Sequence, residues 1–106
     1  MAKFYLTTAI PYVNAAPHLG HVLEFVQTDA IARYQRLLGN DVALVTGADE
    51  NSLKNVQAAE KLGIGVEELC AKNSAIFEGM AKKAGLSYTG FQRTSDRQKH
   101  WPGVQR

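Results

Sequence analysis

Two histidines three residues apart, His18 and His21, stand in the stretch "AIPYVNAAPHLGHVLEF", with Gly20 between them and Pro17 just ahead. Imidazoles at the start of a helix join unpaired backbone N–H groups and the positive end of the helix dipole, a combination suited to an anion such as phosphate. Pro17 fits the first turn of a helix, where its missing N–H costs nothing, and this would place both histidines on one face of that turn. Gly20 has no side chain, so a flat ring or a phosphate can approach the backbone there. The arrangement suits ATP. The plainer reading of the same residues is that the histidines cap and pack a helix start, and a bare H-x-G-H does not decide between the two. Glu24, one turn further on, can reach the same cleft, although a glutamate in an early turn ordinarily compensates the dipole.

The elements that must hold these groups are legible in the periodicity. Phe4 to Thr8, mostly aromatic and β-branched and stopped by Pro11, reads as a short buried strand. From Leu19 the residues Leu23, Val26, Ala30, Tyr34 and Leu37 recur at steps of three and four, an amphipathic helix that Gly39-Asn40 ends. "DVALVTG" reads as a second strand, closed by Gly47. Strand, helix and strand make a βαβ unit with parallel strands, whose binding crevice lies at the carboxyl ends, where the histidine stretch and "TGADENS" both fall. "NSLKNVQAAEKLG" follows as a helix with Ser52 as its cap and Gly63 as its stop. A third helix, "VEELCAKNSAIFEGMAKKAG", carries a stripe of Val66, Leu69, Cys70, Phe77, Met80, Ala81 and Ala84, in which Cys70 and Met80 read as core filling. Beyond it the pattern supports only an extended piece near Phe91 and a helix start near Ser95.

Composition bounds the rest. A chain of 106 residues with 45% hydrophobic and 21% charged residues is an ordinary globular segment of one domain at most, and its net charge of +2 does not argue for nucleic acid. One cysteine excludes an internal disulfide and a cysteine-based zinc site, which suits a reducing compartment, and the expected location is the cytoplasm. "MAKFYLTTA" makes neither a signal-peptide core nor a membrane span.

The run "TTAIPYVNAAPHLGHVLEFVQTDAIARYQRLLGNDVALVTGADE" resembles the opening of the methionyl-tRNA synthetases, a family of class I aminoacyl-tRNA synthetases whose HIGH-type signature reads here as "HLGH". The segment "FQRTSDRQKHWPGVQR" is similar to what precedes that family's inserted connective module, so the resemblance covers essentially the whole chain. It implies an α/β fold, the first half of a Rossmann-like (HUP-type) parallel-sheet nucleotide-binding domain, with residues 1–106 as the N-terminal portion of the catalytic domain. The implied activity is a methionine-tRNA ligase that makes methionyl-adenylate from methionine and ATP and passes the methionyl group to tRNA(Met).

The resemblance further implies that His18 and His21 bind the ATP phosphates and stabilise developing charge, with Gly20 under the adenine. Ala9, Ile10 and Tyr12 would line the methionine site, and Asp49 would hold the substrate ammonium. For Ile10 alone, core packing at a strand end is the simpler reading, and for Asp49 the competing role is a cap or turn residue. Implied cofactors are ATP and Mg2+, with zinc in an insertion downstream of these residues. Implied partners are methionine, ATP and tRNA(Met), with no membrane, and the segment alone is expected to self-associate through an uncovered sheet and to be nearly inactive. One departure stands out: many members continue the loop as T-G-T-D-E-H-G, whereas Asn51 and Ser52 replace the His-Gly pair here.

Three other readings remain. A nucleotidylyltransferase shares H-x-G-H but usually carries G-x-F-D-P ahead of it. The leucine, isoleucine and valine synthetases tend to read P-Y-P-S-G at the matching turn. A small noncatalytic ATP-binding or interaction module is the third.

Overall fold

A computed structural model describes all 106 residues. Seven elements follow in the order β1 (Lys3–Thr7), α1 (Leu19–Leu37), β2 (Asp41–Ala48), α2 (Leu53–Leu62), α3 (Val66–Lys83), β3 (Gly90–Arg93) and the single turn α4 (Trp101–Val104). The three strands form one parallel sheet in chain order, β1-β2-β3, with Lys3 opposite Asp41 and Val45 opposite Gly90.

Alternation along β2 decides which face is covered. Val42, Leu44, Thr46 and Ala48 are all buried, and the first two pack against Ala32 of α1 while Ala48 packs with Cys70 and Phe77 of α3. Both helices therefore lie on the same face of β2. The chain forms a flat two-layer slab measuring 50 × 35 × 16 Å. The expected first strand is present one residue earlier than its pattern suggested, and it is half-buried rather than buried, because Tyr5 points to the uncovered face and is 68% exposed. Gly47 explains itself sterically: a Cβ there would lie 2.0 Å from the Gln92 carbonyl oxygen of the neighbouring strand.

The helix that carries the histidines exists as expected, but its apolar stripe faces away from the sheet. Leu23, Val26, Ala30, Tyr34 and Leu37 are exposed, and Phe25, Asp29 and Ala32 are the buried residues. The register is set by polar ties that the periodicity does not reveal. Asp29 Oδ1 accepts the Ser87 backbone N–H at 2.8 Å and also the Ser87 hydroxyl, and Asp29 Oδ2 accepts Arg33 Nε at 2.7 Å. Arg36 donates to the Ser87 carbonyl at 2.9 Å. These bonds turn α1 so that its charged stripe grips the α3–β3 connection.

α3 buries Leu69, Cys70, Phe77 and Ala81 as expected, together with Asn73 and Ser74, while Val66 and Ala84 at its ends are exposed. Ser52 caps α2 by accepting the Asn55 N–H at 3.2 Å, and Gly63 stops it in the left-handed conformation at φ 69°. The last helix starts at Trp101 rather than near Ser95, because Asp96 first holds a turn by accepting the N–H groups of Gln98 and Lys99.

Candidate active site

His18 is the N-cap of α1, in extended conformation at φ −122°, and His21 is the third helical residue. Pro17 thus precedes the cap instead of occupying the first turn, and the two histidines flank the helix start. Their imidazoles stack, with centroids 3.9 Å apart and planes 20° off parallel. His18 Nδ1 accepts the Gly20 N–H at 3.0 Å, and His21 Nδ1 accepts the His18 N–H at 3.1 Å. This is a capping box built from imidazoles, two helix-start donors satisfied reciprocally.

Two consequences follow for chemistry. An unprotonated Nδ1 on each ring places the ring proton on Nε2, so both neutral histidines keep one N–H donor that the helix does not use. The Gly20 amide, expected to be open to an anion, is taken by His18 instead. The missing Cβ of Gly20 makes room for that same ring: a side chain there would lie 2.9 Å from His18 Cε1. His21 is backed edge-on by Phe77 of α3 at 5.0 Å. Burial, and then the neighbouring His18, hold the His21 imidazole below the usual histidine pKa, with Glu24 opposing them.

The residues expected around methionine come together at the strand ends. Tyr12 and Asp49 form a parallel bridge beyond β1 and β2, and the Asp49 N–H donates to the Pro11 carbonyl at 2.8 Å. Ile10 and Tyr12 are 42% and 46% exposed, so neither is buried within these 106 residues. Lys54 Nζ lies 6.0 Å from the Tyr12 ring centre. Asp49 Oδ1 accepts the Asn51 N–H at 3.1 Å, a turn role, while its Oδ2 makes no hydrogen bond within the chain. Asn51 and Ser52 therefore have local work where the family often has His-Gly: one closes the turn on Asp49 and the other caps α2. Asn55 adds a bond from Nδ2 to the Asp49 carbonyl at 3.3 Å.

A second cluster had no local signal in the sequence. The Glu50 side chain, 1% exposed, accepts Arg93 Nε and Nη2 at 2.9–3.1 Å, Ser74 Oγ at 3.0 Å and Ser95 Oγ at 2.7 Å. Burial alone would raise its pKa, but the Arg93 guanidinium and the two hydroxyls hold it below the usual carboxylate range. This cluster borders a cavity of about 580 Å³ lined in part by Asn51, Cys70 and Arg97, and none of the histidine or methionine candidates lines it. Its partners span residues 50 to 95, so only the fold brings them together.

A parallel-sheet βαβ unit with an imidazole pair at its first helix start is an architecture that class I synthetases and H-x-G-H nucleotidylyltransferases share, and the family match separates them. The family described as tRNA synthetases class I (M) matches residues 4–104, and the chain belongs to that family. The methionine--tRNA ligase of Mycobacterium leprae is 49% identical over 96 residues, covering 91% of this chain and 18% of its own length. That of Rhizobium meliloti is 48% identical over 99 residues, covering 93% and 19%. Among solved structures, Mycobacterium tuberculosis methionyl-tRNA synthetase in complex with methionyl-adenylate superposes with a TM-score of 0.90 at 47% identity, over 91% of this chain and 19% of that one. The chain spans about a fifth of the length of the relatives it matches. No helix is long and apolar enough to cross a membrane.

Proposed function

We propose that these residues form the N-terminal portion of the catalytic domain of a methionine-tRNA ligase and carry the part of its site that joins methionine to ATP. The methionine carboxylate attacks the α-phosphorus, the bond to the β-phosphate breaks, and pyrophosphate leaves; a terminal ribose hydroxyl of tRNA(Met) then attacks the methionyl carbonyl carbon, the acyl–phosphate bond breaks, and AMP leaves. The observation that carries this reading is the stacked pair His18–His21, whose Nδ1 atoms are engaged by backbone and whose Nε2 protons remain free. Fixed donors of this kind meet charge that develops on phosphate oxygens, and they need no reorganisation at the moment of reaction.

Asp49 Oδ2 is the open acceptor for the methionine ammonium, Ile10 and Tyr12 offer an apolar and aromatic lining for the thioether, and the Ala9 backbone borders them. The adenine is assigned to Gly20 by the family resemblance, and the His18 ring, which fills the space of the missing Cβ, would have to lie beside it. No group of three or more His, Cys, Asp or Glu side chains converges within the chain; Mg2+ would come with the ATP phosphates, which supply much of its coordination, zinc was expected only outside these residues, and no step is routed through either. Methionine-dependent ATP–pyrophosphate exchange by a full-length enzyme carrying this segment tests the reading. Exchange supported equally by leucine, isoleucine or valine would move the specificity to a sister synthetase. The absence of exchange with any amino acid would favour a noncatalytic module.

A further inference from the structure

The loop after β1 and the helix α1 are tied by one bond that the reaction scheme above does not use. The Ala9 N–H donates to Glu24 Oε1 at 2.9 Å. Glu24 is the sixth residue of α1, beyond the first turn within which a carboxylate compensates the dipole, so that ordinary role is weak here. The Ala9 amide lies one residue past the last ladder bond of β1, Thr8 N–H to the Val45 carbonyl at 3.3 Å, and it has no strand partner. The Ala9 carbonyl is held as well: Thr8 Oγ1 donates to it at 2.9 Å and lies 2.7 Å from Thr46 Oγ1 of β2. The peptide at the head of the methionine loop is thus fixed on one side by the sheet and on the other by Glu24, one turn beyond His21.

We propose that Glu24 is a positioning residue, a clamp that registers the methionine loop Ala9–Tyr12 against the histidine pair so that carboxylate and α-phosphate meet in line. This rests on the functional reading above. A clamp between two subsites leaves each substrate's own contacts intact and acts on their alignment, where an error of about 1 Å costs up to about a hundredfold in rate.

The test uses a full-length enzyme carrying this segment, with Glu24→Ala, which removes the acceptor, and Glu24→Gln, which keeps an oxygen acceptor without the charge. Glu24→Ala is expected to lower kcat for pyrophosphate exchange about ten- to a hundredfold, with calorimetric affinities for methionine alone and ATP alone within about threefold of wild type. Glu24→Gln is expected to recover most of kcat. Unchanged kcat in Glu24→Ala overturns the clamp, and so does a Glu24→Gln enzyme as slow as the alanine variant, or a loss of methionine affinity that accounts for the whole rate effect. A wild type without methionine-dependent exchange overturns the functional reading instead. The clamp is then still read by amide hydrogen exchange at Ala9, which should be slow in wild type and Glu24→Gln and fast in Glu24→Ala; equal rates in all three would refute it.

Discussion

The ring of His21 lies face to face with that of His18 and accepts the backbone N–H of the residue that carries it, so the proposed phosphate donors are also the cap of their own helix. Alanine substitution would confound the two roles, and residue types that cap well separate them. His18→Asn and His21→Gln retain an acceptor for the helix start and should melt close to wild type, whereas each alanine variant should lose about 1 kcal/mol of stability. All four should lose about one to three orders of magnitude in pyrophosphate exchange if the Nε2 donors act on phosphate. Thermal melts alongside exchange assays decide, and an active His18→Asn, His21→Gln double variant would return the pair to a capping role.

The same caps give the helix start a pH dependence. The folded chain holds His21 less basic than the ordinary 6.5, so unfolding takes up a proton between the folded and unfolded pKa values. The stability this confers is present above 6.5 and is lost as pH falls through the folded value. A titration of the His21 ring protons by NMR should give a midpoint below 6.5, and a midpoint above it would contradict the geometry.

Asp49→Asn should weaken methionine binding, because the ammonium loses a charge-assisted bond worth on the order of 2 kcal/mol. The Asn51 turn survives, since an amide oxygen still accepts that N–H. Calorimetry of the full-length protein with methionine checks this, and equal affinities would leave Asp49 with its turn role alone.

Arg93→Leu leaves the Glu50 carboxylate buried beside two hydroxyls with no cation. Loss of one partner of a buried pair costs about 3–5 kcal/mol, and the lower end is expected because the Arg93 side chain is 41% exposed. Glu50 is held below the ordinary 4.5, so its contribution is present above that pH and lost as pH falls through the folded value; acid unfolding of wild type should be steep there and flatter in Glu50→Gln. Denaturant melts across pH measure both effects.

The 106 residues alone should activate methionine poorly and self-associate. Ile10, Tyr12 and His18 are open to solvent, one face of the sheet is bare, and α1 presents Leu23, Val26 and Tyr34 outward. Sedimentation should show association that rises with concentration and falls in Val26→Asp. A monomeric chain with exchange near that of a complete synthetase would contradict this.

The βαβ order and the crevice at the strand ends were legible because short-range pattern sets them: apolar runs of strand length, a helix period, and Gly39 and Gly63 as stops; the bridge of Tyr12 with Asp49 was not among the expectations. The outward turn of α1 was not legible. Its two stripes compete, and the winner is decided by Asp29 and Arg36 reaching Ser87, and Arg33 reaching the Gly85 carbonyl, all some fifty residues away, which a helical period does not encode. The same holds for Glu50 with Arg93, and for Glu24, whose partner is a backbone amide without any side-chain signature. For the histidines, capping of a helix start was legible as the plainer reading, while the reciprocal use of both Nδ1 atoms is a matter of ring orientation.

Strand order that follows chain order has a kinetic corollary. Thr8 meets Thr46 across 38 residues and Leu44 meets Thr89 across 45, so every pairing in the sheet closes on a strand already made, and none waits for a distant terminus. Such a sheet can be laid down in one direction as the polypeptide emerges, β2 docking on β1 over α1 before β3 exists. The capped histidines and the Tyr12–Asp49 bridge would then be in place early, a preformed seat onto which later parts of a longer polypeptide fold.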